Sequence, residues 1–95
     1  MKEEAELKVE GGKLLKAEVE FDSEIKQVRL HGDFFIHPAE ELGKLEEALR
    51  GVPVETGKEL LERKMEHSLS GRAELVGFET SDVADLVKEA VDDAG

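Results

Sequence analysis

Residues 15–21, LKAEVEF, decide the fold class of this chain. Apolar side chains alternate there with Lys and Glu, and this period of two places them on opposite faces of a β-strand. A strand with one apolar and one charged face is typical of an antiparallel sheet that packs against a core on one side. The apolar face consists of Leu15, Ala17, Val19 and Phe21.

A second strand precedes this one. Residues 5–9 also alternate between apolar and polar side chains, and the sequence EGGK connects the two strands. Glycine adopts positive φ angles without steric cost, so we expect Gly11 and Gly12 at both central positions of a tight hairpin turn.

A third strand follows the turn signal DSE. Within residues 25–30, Val28 and Leu30 are in phase with each other, whereas Ile25 is out of phase with them. We therefore expect a β-bulge or a late start of this strand. Three strands joined by short turns predict an antiparallel meander.

The apolar residues of the second half of the chain have helical spacing. Pro38 suits the first turn of a first helix, and Gly51 marks its end. The sequence TGKE at residues 56–59 matches a capping box, which predicts the start of a second helix at its threonine. Thr80 or Ser81 caps a third helix. The apolar positions of the three helices are Leu42, Leu45 and Leu49; Leu60, Leu61, Met65 and Leu69; and Val83, Leu86, Val87, Ala90 and Val91.

These patterns together predict the architecture. Residues 71–79 form a loop or a short extended segment, with Val76 and Phe78 packed down on the core. We predict an α+β fold in which a three-stranded antiparallel meander is followed by three helices packed on one face of the sheet. Because 95 residues supply one small core, we expect a single domain spanning residues 1–95.

The charge balance restricts the possible partners. The chain has 24 acidic and 13 basic residues, which gives a net charge of −11. Nucleic acids and anionic membranes both require clustered cations, so we predict that the chain binds neither, and we expect a partner with a basic face.

The composition also indicates where the protein occurs. The absence of cysteine, of a membrane-spanning apolar run and of a signal peptide predicts a cytoplasmic protein. Many Glu and Lys residues and no Asn favour a thermophilic source.

The candidate catalytic and metal-binding residues do not form a recognisable site. His31, His37 and His67 lack the spacing of metal ligands, so we predict no bound metal. Carboxylates such as Glu41 are expected on solvent-exposed faces, and Asp33 is expected to bond its own backbone in a turn. The sequence GGK lacks the rest of a phosphate-binding loop. We therefore predict no catalytic residue in this chain.

The segment GDFFI, residues 32–36, is the candidate partner-binding site. Gly32 permits a sharp redirection of the chain at the end of the third strand. In extended backbone one of Phe34 and Phe35 points into the core, and the other points away, where it is an anchor for a protein interface. Burial of both rings is the alternative, and physical reasoning favours neither arrangement. The candidate residues are Gly32, Asp33, Phe34, Phe35 and Ile36.

The chain also resembles a known family. The sequence GGKLL, then VRLHGDFF at residues 28–35, then a leucine-spaced helix ending in LRGVP resembles the small C-terminal accessory domain of lipoate–protein ligases. The resemblance runs from Leu7 through the last helix, and residues 28–35 are its most specific part. In many bacterial ligases this domain is fused behind the catalytic domain, whereas in some archaea a separate gene encodes it.

The resemblance implies a non-catalytic subunit that docks on the catalytic subunit of a lipoate–protein ligase and is required for lipoyl-AMP formation. ATP, Mg and lipoate are then expected on that catalytic partner, and none of them on this chain alone. The alternative is a stand-alone small protein-interaction domain with no role in lipoylation. An uncovered docking face would also let the isolated chain form a homodimer.

Overall fold

Three long strands, two short strands and three helices make up the regular structure of the described residues. The structure, a computed structural model, describes residues 1–9, 11 and 13–93. This combination of strands and helices confirms the predicted α+β class. The elements are β1 (Lys2–Val9), β2 (Lys13–Phe21), β3 (Ile25–Gly32), β4 (Phe35–His37), α1 (Glu41–Ala48), α2 (Lys58–Ser68), β5 (Glu74–Val76) and α3 (Thr80–Asp93).

The three long strands form an antiparallel sheet in the order β1-β2-β3, as the alternating patterns predict. Ala5, Ala17 and Leu30 lie side by side across the sheet, and all three are buried. Side chains on the same face of adjacent strands pack together, so this row belongs to the core-facing side of the sheet. The four apolar residues predicted on one face of β2 are all buried.

A bulge in β3 explains the phase shift of its first apolar residue. Glu20 pairs with Gln27 and Phe21 pairs with Ile25, so Lys26 is the extra residue of the ladder. The extra residue returns Ile25 to the core, which confirms the expected bulge.

The hairpin between β1 and β2 is wider than expected. Val9 pairs with Lys13, so three residues separate the strands instead of the two of a tight turn. Gly11 has a φ of 96°, as predicted, and the prediction for Gly12 lies outside the described residues.

The first two helices start later than the sequence patterns predict. Pro38 lies in the turn before α1, where its carbonyl accepts a hydrogen bond from the Glu41 N–H at 3.0 Å. The capping-box prediction for α2 is wrong, because Gly57 is the N-cap and no side chain caps the helix. The Thr56 N–H instead donates to the Pro53 carbonyl at 3.0 Å and so belongs to the preceding turn. The end of α1 is as predicted, with Gly51 at a φ of 82° just beyond it.

The third helix has a cap that differs from the predicted one. Both Thr80 and Ser81 lie within α3, so neither precedes it as a cap. The Asp82 carboxylate reaches back and accepts a hydrogen bond from the Glu79 N–H at 2.8 Å. This contact is the return half of a capping box, and it places a negative charge at the positive end of the helix dipole.

The helices and the three-stranded sheet together enclose one cluster of buried apolar side chains. α3 contacts β1 and β2, α1 contacts β3, and α2 contacts α1 and α3. Leu61 and Met65 of α2 are fully buried, as the helical spacing predicts, together with the apolar face of α3. That all three helices cover a single face of the sheet stays a prediction. None of the described helices is long and apolar enough to cross a membrane.

Candidate functional site

A second, two-stranded sheet contains the segment that the sequence singles out. β4 and β5 pair antiparallel, with Phe35 opposite Val76, Ile36 opposite Leu75 and His37 opposite Glu74. This sheet is not predicted by the sequence patterns, because each of its strands is only three residues long. It carries Phe35 and Ile36 of the candidate site, and Gly32, Asp33 and Phe34 lead into it.

Gly32 and Asp33 fix the point at which the chain leaves the main sheet. Gly32 has a φ of 144°, and a Cβ atom there would collide with the Leu14 carbonyl oxygen of β2. The same oxygen accepts a hydrogen bond from the Asp33 N–H at 2.8 Å. A residue other than glycine would therefore be strained and would push the strands apart. The Asp33 side chain is exposed, and the backbone of Asp33 provides the structural contact.

Phe34 and Phe35 point to opposite sides, which settles the alternative left open by the sequence. The Phe34 ring packs against the Phe78 ring with centroids 4.7 Å apart and planes inclined at 55°, a favourable tilted arrangement. Phe34 and Ile36 are half-buried against the core. Phe35, by contrast, is 74% exposed. One aromatic ring thus anchors the segment and the other is left free.

The outer side of the two-stranded sheet forms a small exposed surface. Residues two apart on a strand share a face, and so do directly opposed residues, so four side chains lie together on this side. Val76 is 45% exposed and lies next to Phe35, so the prediction that Val76 packs on the core is wrong. Its neighbour Phe78 is buried as predicted. We call the outward-facing residues Phe35, His37, Glu74 and Val76 the ribbon surface.

The ribbon surface is held in place at the Phe35 end by a close backbone approach. Gly77 follows β5 with a φ of 91°, and a Cβ atom there would lie 3.3 Å from the Asp33 carbonyl oxygen. The same atom would lie 3.6 Å from Cα of Phe34. The end of β5 is thus fitted against the start of β4, and the two exposed apolar side chains are fixed relative to each other.

A buried carboxylate holds the opposite end. Glu41 at the start of α1 is only 2% exposed, so the prediction that it faces solvent is wrong. It accepts hydrogen bonds from the Lys44 ammonium and from the Ser70 N–H, each at 2.6 Å. These two contacts hold the pKa of Glu41 below its usual value. Glu41 lies just after β4 and Ser70 just before β5, so the hydrogen bond joins the two segments that lead away from the His37–Glu74 pair.

The three histidines are dispersed over the surface. His31 lies opposite Lys16 on the outer side of the main sheet, His37 lies on the ribbon surface, and His67 is on α2. Within the described residues no group of three His, Cys, Asp or Glu side chains is arranged to hold a metal ion.

The fold is similar to that of a solved structure from Thermoplasma acidophilum. That structure belongs to an analysis of an archaeal lipoylation system, a bipartite lipoate–protein ligase and its E2 lipoyl domain. The match has a TM-score of 0.73 at 23% sequence identity and covers 92% of this chain and 94% of the other. At this identity the likeness shows the fold, and it agrees with the resemblance found in the sequence. No protein-family model and no curated protein matches the chain.

Proposed function

We propose that this chain is the accessory subunit of a two-chain lipoate–protein ligase. In this role it docks on the catalytic subunit and enables that subunit to form lipoyl-AMP from lipoate and ATP. Nucleotide, Mg and lipoate bind to the catalytic subunit, and this chain supplies no catalytic residue. The whole chain, residues 1–95, acts as one domain in this proposal, in the cytoplasm and away from membranes and nucleic acids.

The observation that carries the proposal is the length of the fold match. The similarity spans 92% of this chain and 94% of a chain from the structural study of a bipartite lipoate–protein ligase and its E2 lipoyl domain. Fold alone does not determine function, so the proposal also requires a surface suited to docking.

The ribbon surface is the part of the chain that supports docking. Exposed aromatic side chains on rigid backbone are favoured anchors of protein interfaces, because little conformational entropy is lost when they are buried. Phe35 meets this description, since hydrogen bonds and close backbone contacts fix the strand that bears it. Val76 extends the apolar area beside it. The net charge of −11 favours a basic face on the catalytic subunit around this apolar centre.

Complex formation between the two purified chains tests the docking step. The catalytic-domain homologue encoded in the same genome is mixed with this chain, and binding is followed by size-exclusion chromatography and calorimetry. We expect a stable complex that Phe35→Ala weakens by about thirtyfold or more, because truncating an interface anchor costs at least about 2 kcal/mol. Val76→Ala is expected to weaken it less.

Leu60→Ala is the matched control for these two variants. Leu60 is 49% exposed and lies on α2, so this variant removes apolar area of similar exposure outside the ribbon surface. We expect it to leave the complex unchanged. An equal loss of affinity with Leu60→Ala and Phe35→Ala would show that the ribbon surface is not the docking site.

The alternative function is that of a stand-alone protein-interaction domain. It keeps the ribbon surface but predicts no complex with the catalytic-domain homologue at any concentration. The isolated chain then covers its own apolar pair, and we expect a homodimer at high concentration in either case. A monomeric mass at high protein concentration, measured by analytical ultracentrifugation, would contradict the homodimer.

A further inference from the structure

α2 presents a cationic face around an exposed apolar residue. Leu60, Arg63, Lys64 and His67 are three and four positions apart, so they lie along one side of the helix. With Ala48 of α1 and Ser68 they line an open groove of about 560 Å³. We call these six residues the α2 groove. Its size suits a short segment of chain with a few inserted side chains.

The charge of the α2 groove is opposite to that of the chain. The protein has 24 acidic residues among 95, yet none of the residues that line this groove is acidic. The groove between β3 and α1 is different, because its carboxylates and cations offset one another. Its charged residues are Glu20, Glu40, Glu46, Glu47, Lys26, Lys44 and Arg50.

The cations of the α2 groove are also available for binding. Within the described part of the chain neither Arg63 nor Lys64 has a carboxylate within ion-pair distance, whereas Lys58 of the same helix is held by Asp85 at 2.7 Å. Glu59 and Glu66 are four and three positions from Arg63 on α2, but neither lines the groove, and Glu66 accepts a hydrogen bond from the Thr80 hydroxyl at 3.2 Å. The basic side chains of Arg63 and Lys64 therefore flank Leu60.

We infer that the α2 groove binds a short acidic segment of a partner protein. An apolar side chain of the segment packs on Leu60, and carboxylates of the segment pair with Arg63 and Lys64. The Arg63 guanidinium donates two parallel hydrogen bonds to its carboxylate. The net charge of −11 repels an acidic ligand from the rest of the surface, so attraction is confined to this groove. Since the catalytic subunit is expected to present a basic face, the acidic segment belongs to a different protein, and the inference holds whether or not the ligase proposal does.

A synthetic peptide tests this inference directly. The probe is a short helical peptide of Glu and Asp with leucines at spacings of three and four, and the reference is the same peptide with Lys in place of every acid. We expect the acidic peptide to shift the backbone amide NMR signals of the α2 groove and to bind more weakly as salt is added. Leu60→Ala lowers its affinity, and the double reversal Arg63→Glu with Lys64→Glu lowers it by about tenfold.

The control variant carries the same change of net charge elsewhere. Lys8 and Arg72 are exposed cations outside the groove, and reversing both to Glu is expected to change the affinity by less than about twofold. The inference is overturned if no amide of the groove shifts at millimolar acidic peptide. It is also overturned if the control lowers affinity as much as the groove reversal, or if the Lys peptide binds the groove equally well.

Discussion

Phe35 lies directly opposite Val76 in the two-stranded sheet, and both side chains are exposed on its outer side. The strands that carry them are fixed from beneath by the contact of Phe34 with Phe78. This arrangement separates the two neighbouring phenylalanines into an anchor and an exposed apolar group. Exposed apolar side chains on a fixed backbone are a common feature of surfaces that bind other proteins.

Truncating the two phenylalanines is expected to have different effects on stability. Phe35→Ala changes the free energy of unfolding by less than about 0.5 kcal/mol, because the ring contributes little to the core. Phe34→Ala lowers it by about 1–3 kcal/mol, because it removes a half-buried ring that packs on Phe78. Urea denaturation of both variants measures the difference. Equal losses would contradict the separation into an anchor and an exposed ring.

Gly32→Ala is expected to destabilise the fold by more than about 1 kcal/mol. The added Cβ would collide with the Leu14 carbonyl oxygen, and the positive φ is unfavourable for alanine. Gly43→Ala is the matched control, because Gly43 lies within α1 with open space around it. That variant is expected to stabilise the helix by about 0.5–1 kcal/mol. Thermal unfolding measures both effects. A lower melting temperature for Gly32→Ala and a higher one for Gly43→Ala would confirm the expected effect of each substitution.

The stability of the protein is expected to depend on pH through Glu41. Its pKa is lower in the folded state, so its contribution is fully present above the unfolded pKa of about 4.3 and is lost as pH falls through the folded pKa. Glu41→Gln removes the charge that Lys44 and Ser70 bind. The variant is therefore less stable than the wild type at neutral pH, and the difference shrinks on acidification below about pH 4.

Denaturation curves measured between neutral and acidic pH test this expectation. Glu47→Gln is the control, since Glu47 forms only an exposed contact with Arg50 at 3.7 Å. Its curve is expected to follow that of the wild type. If Glu41→Gln is less stable than the wild type by the same amount at every pH, the charge of Glu41 does not contribute to stability.

The caps of α2 and α3 are expected to respond differently to mutation. Asp82→Ala lowers the free energy of unfolding by about 0.5–2 kcal/mol, because it leaves the Glu79 N–H without its partner. Thr56→Ala changes it by less than about 0.5 kcal/mol, because no side chain caps α2. Chemical denaturation distinguishes the two. A large loss of stability with Thr56→Ala would instead indicate that the Thr56 side chain caps α2, as the sequence predicts.

The sequence predicts the long elements well because each repeats its burial pattern several times. The alternation of β2 and the apolar face of α3 are both confirmed, and even the bulge of β3 is visible as a shift of phase at Ile25. The two-stranded sheet escapes prediction, since three residues hold less than two periods of a strand. Local motifs are also ambiguous. The sequence TGKE matches a capping box, but the Thr56 N–H donates to the Pro53 carbonyl of the preceding turn.

The candidate site is predicted only in part for a related reason. The GDFFI segment stands out by its composition, but the partner strand that exposes Val76 lies far along the chain. The burial of Glu41 likewise depends on Ser70, which is 29 residues away. Nothing in the local sequence distinguishes Glu41 from its neighbour Glu40. Contacts between distant segments therefore decide which residues form the surface and which support it.

Lipoate-dependent release of pyrophosphate from ATP tests the proposed accessory role directly. It is measured for the catalytic-domain homologue of the same genome alone, for this chain alone and for the two together. We expect release only in the mixture, and a lower rate when Phe35→Ala replaces the wild-type chain at equal concentration. Full activity of the catalytic chain alone, or no gain on mixing, would contradict the proposed accessory role.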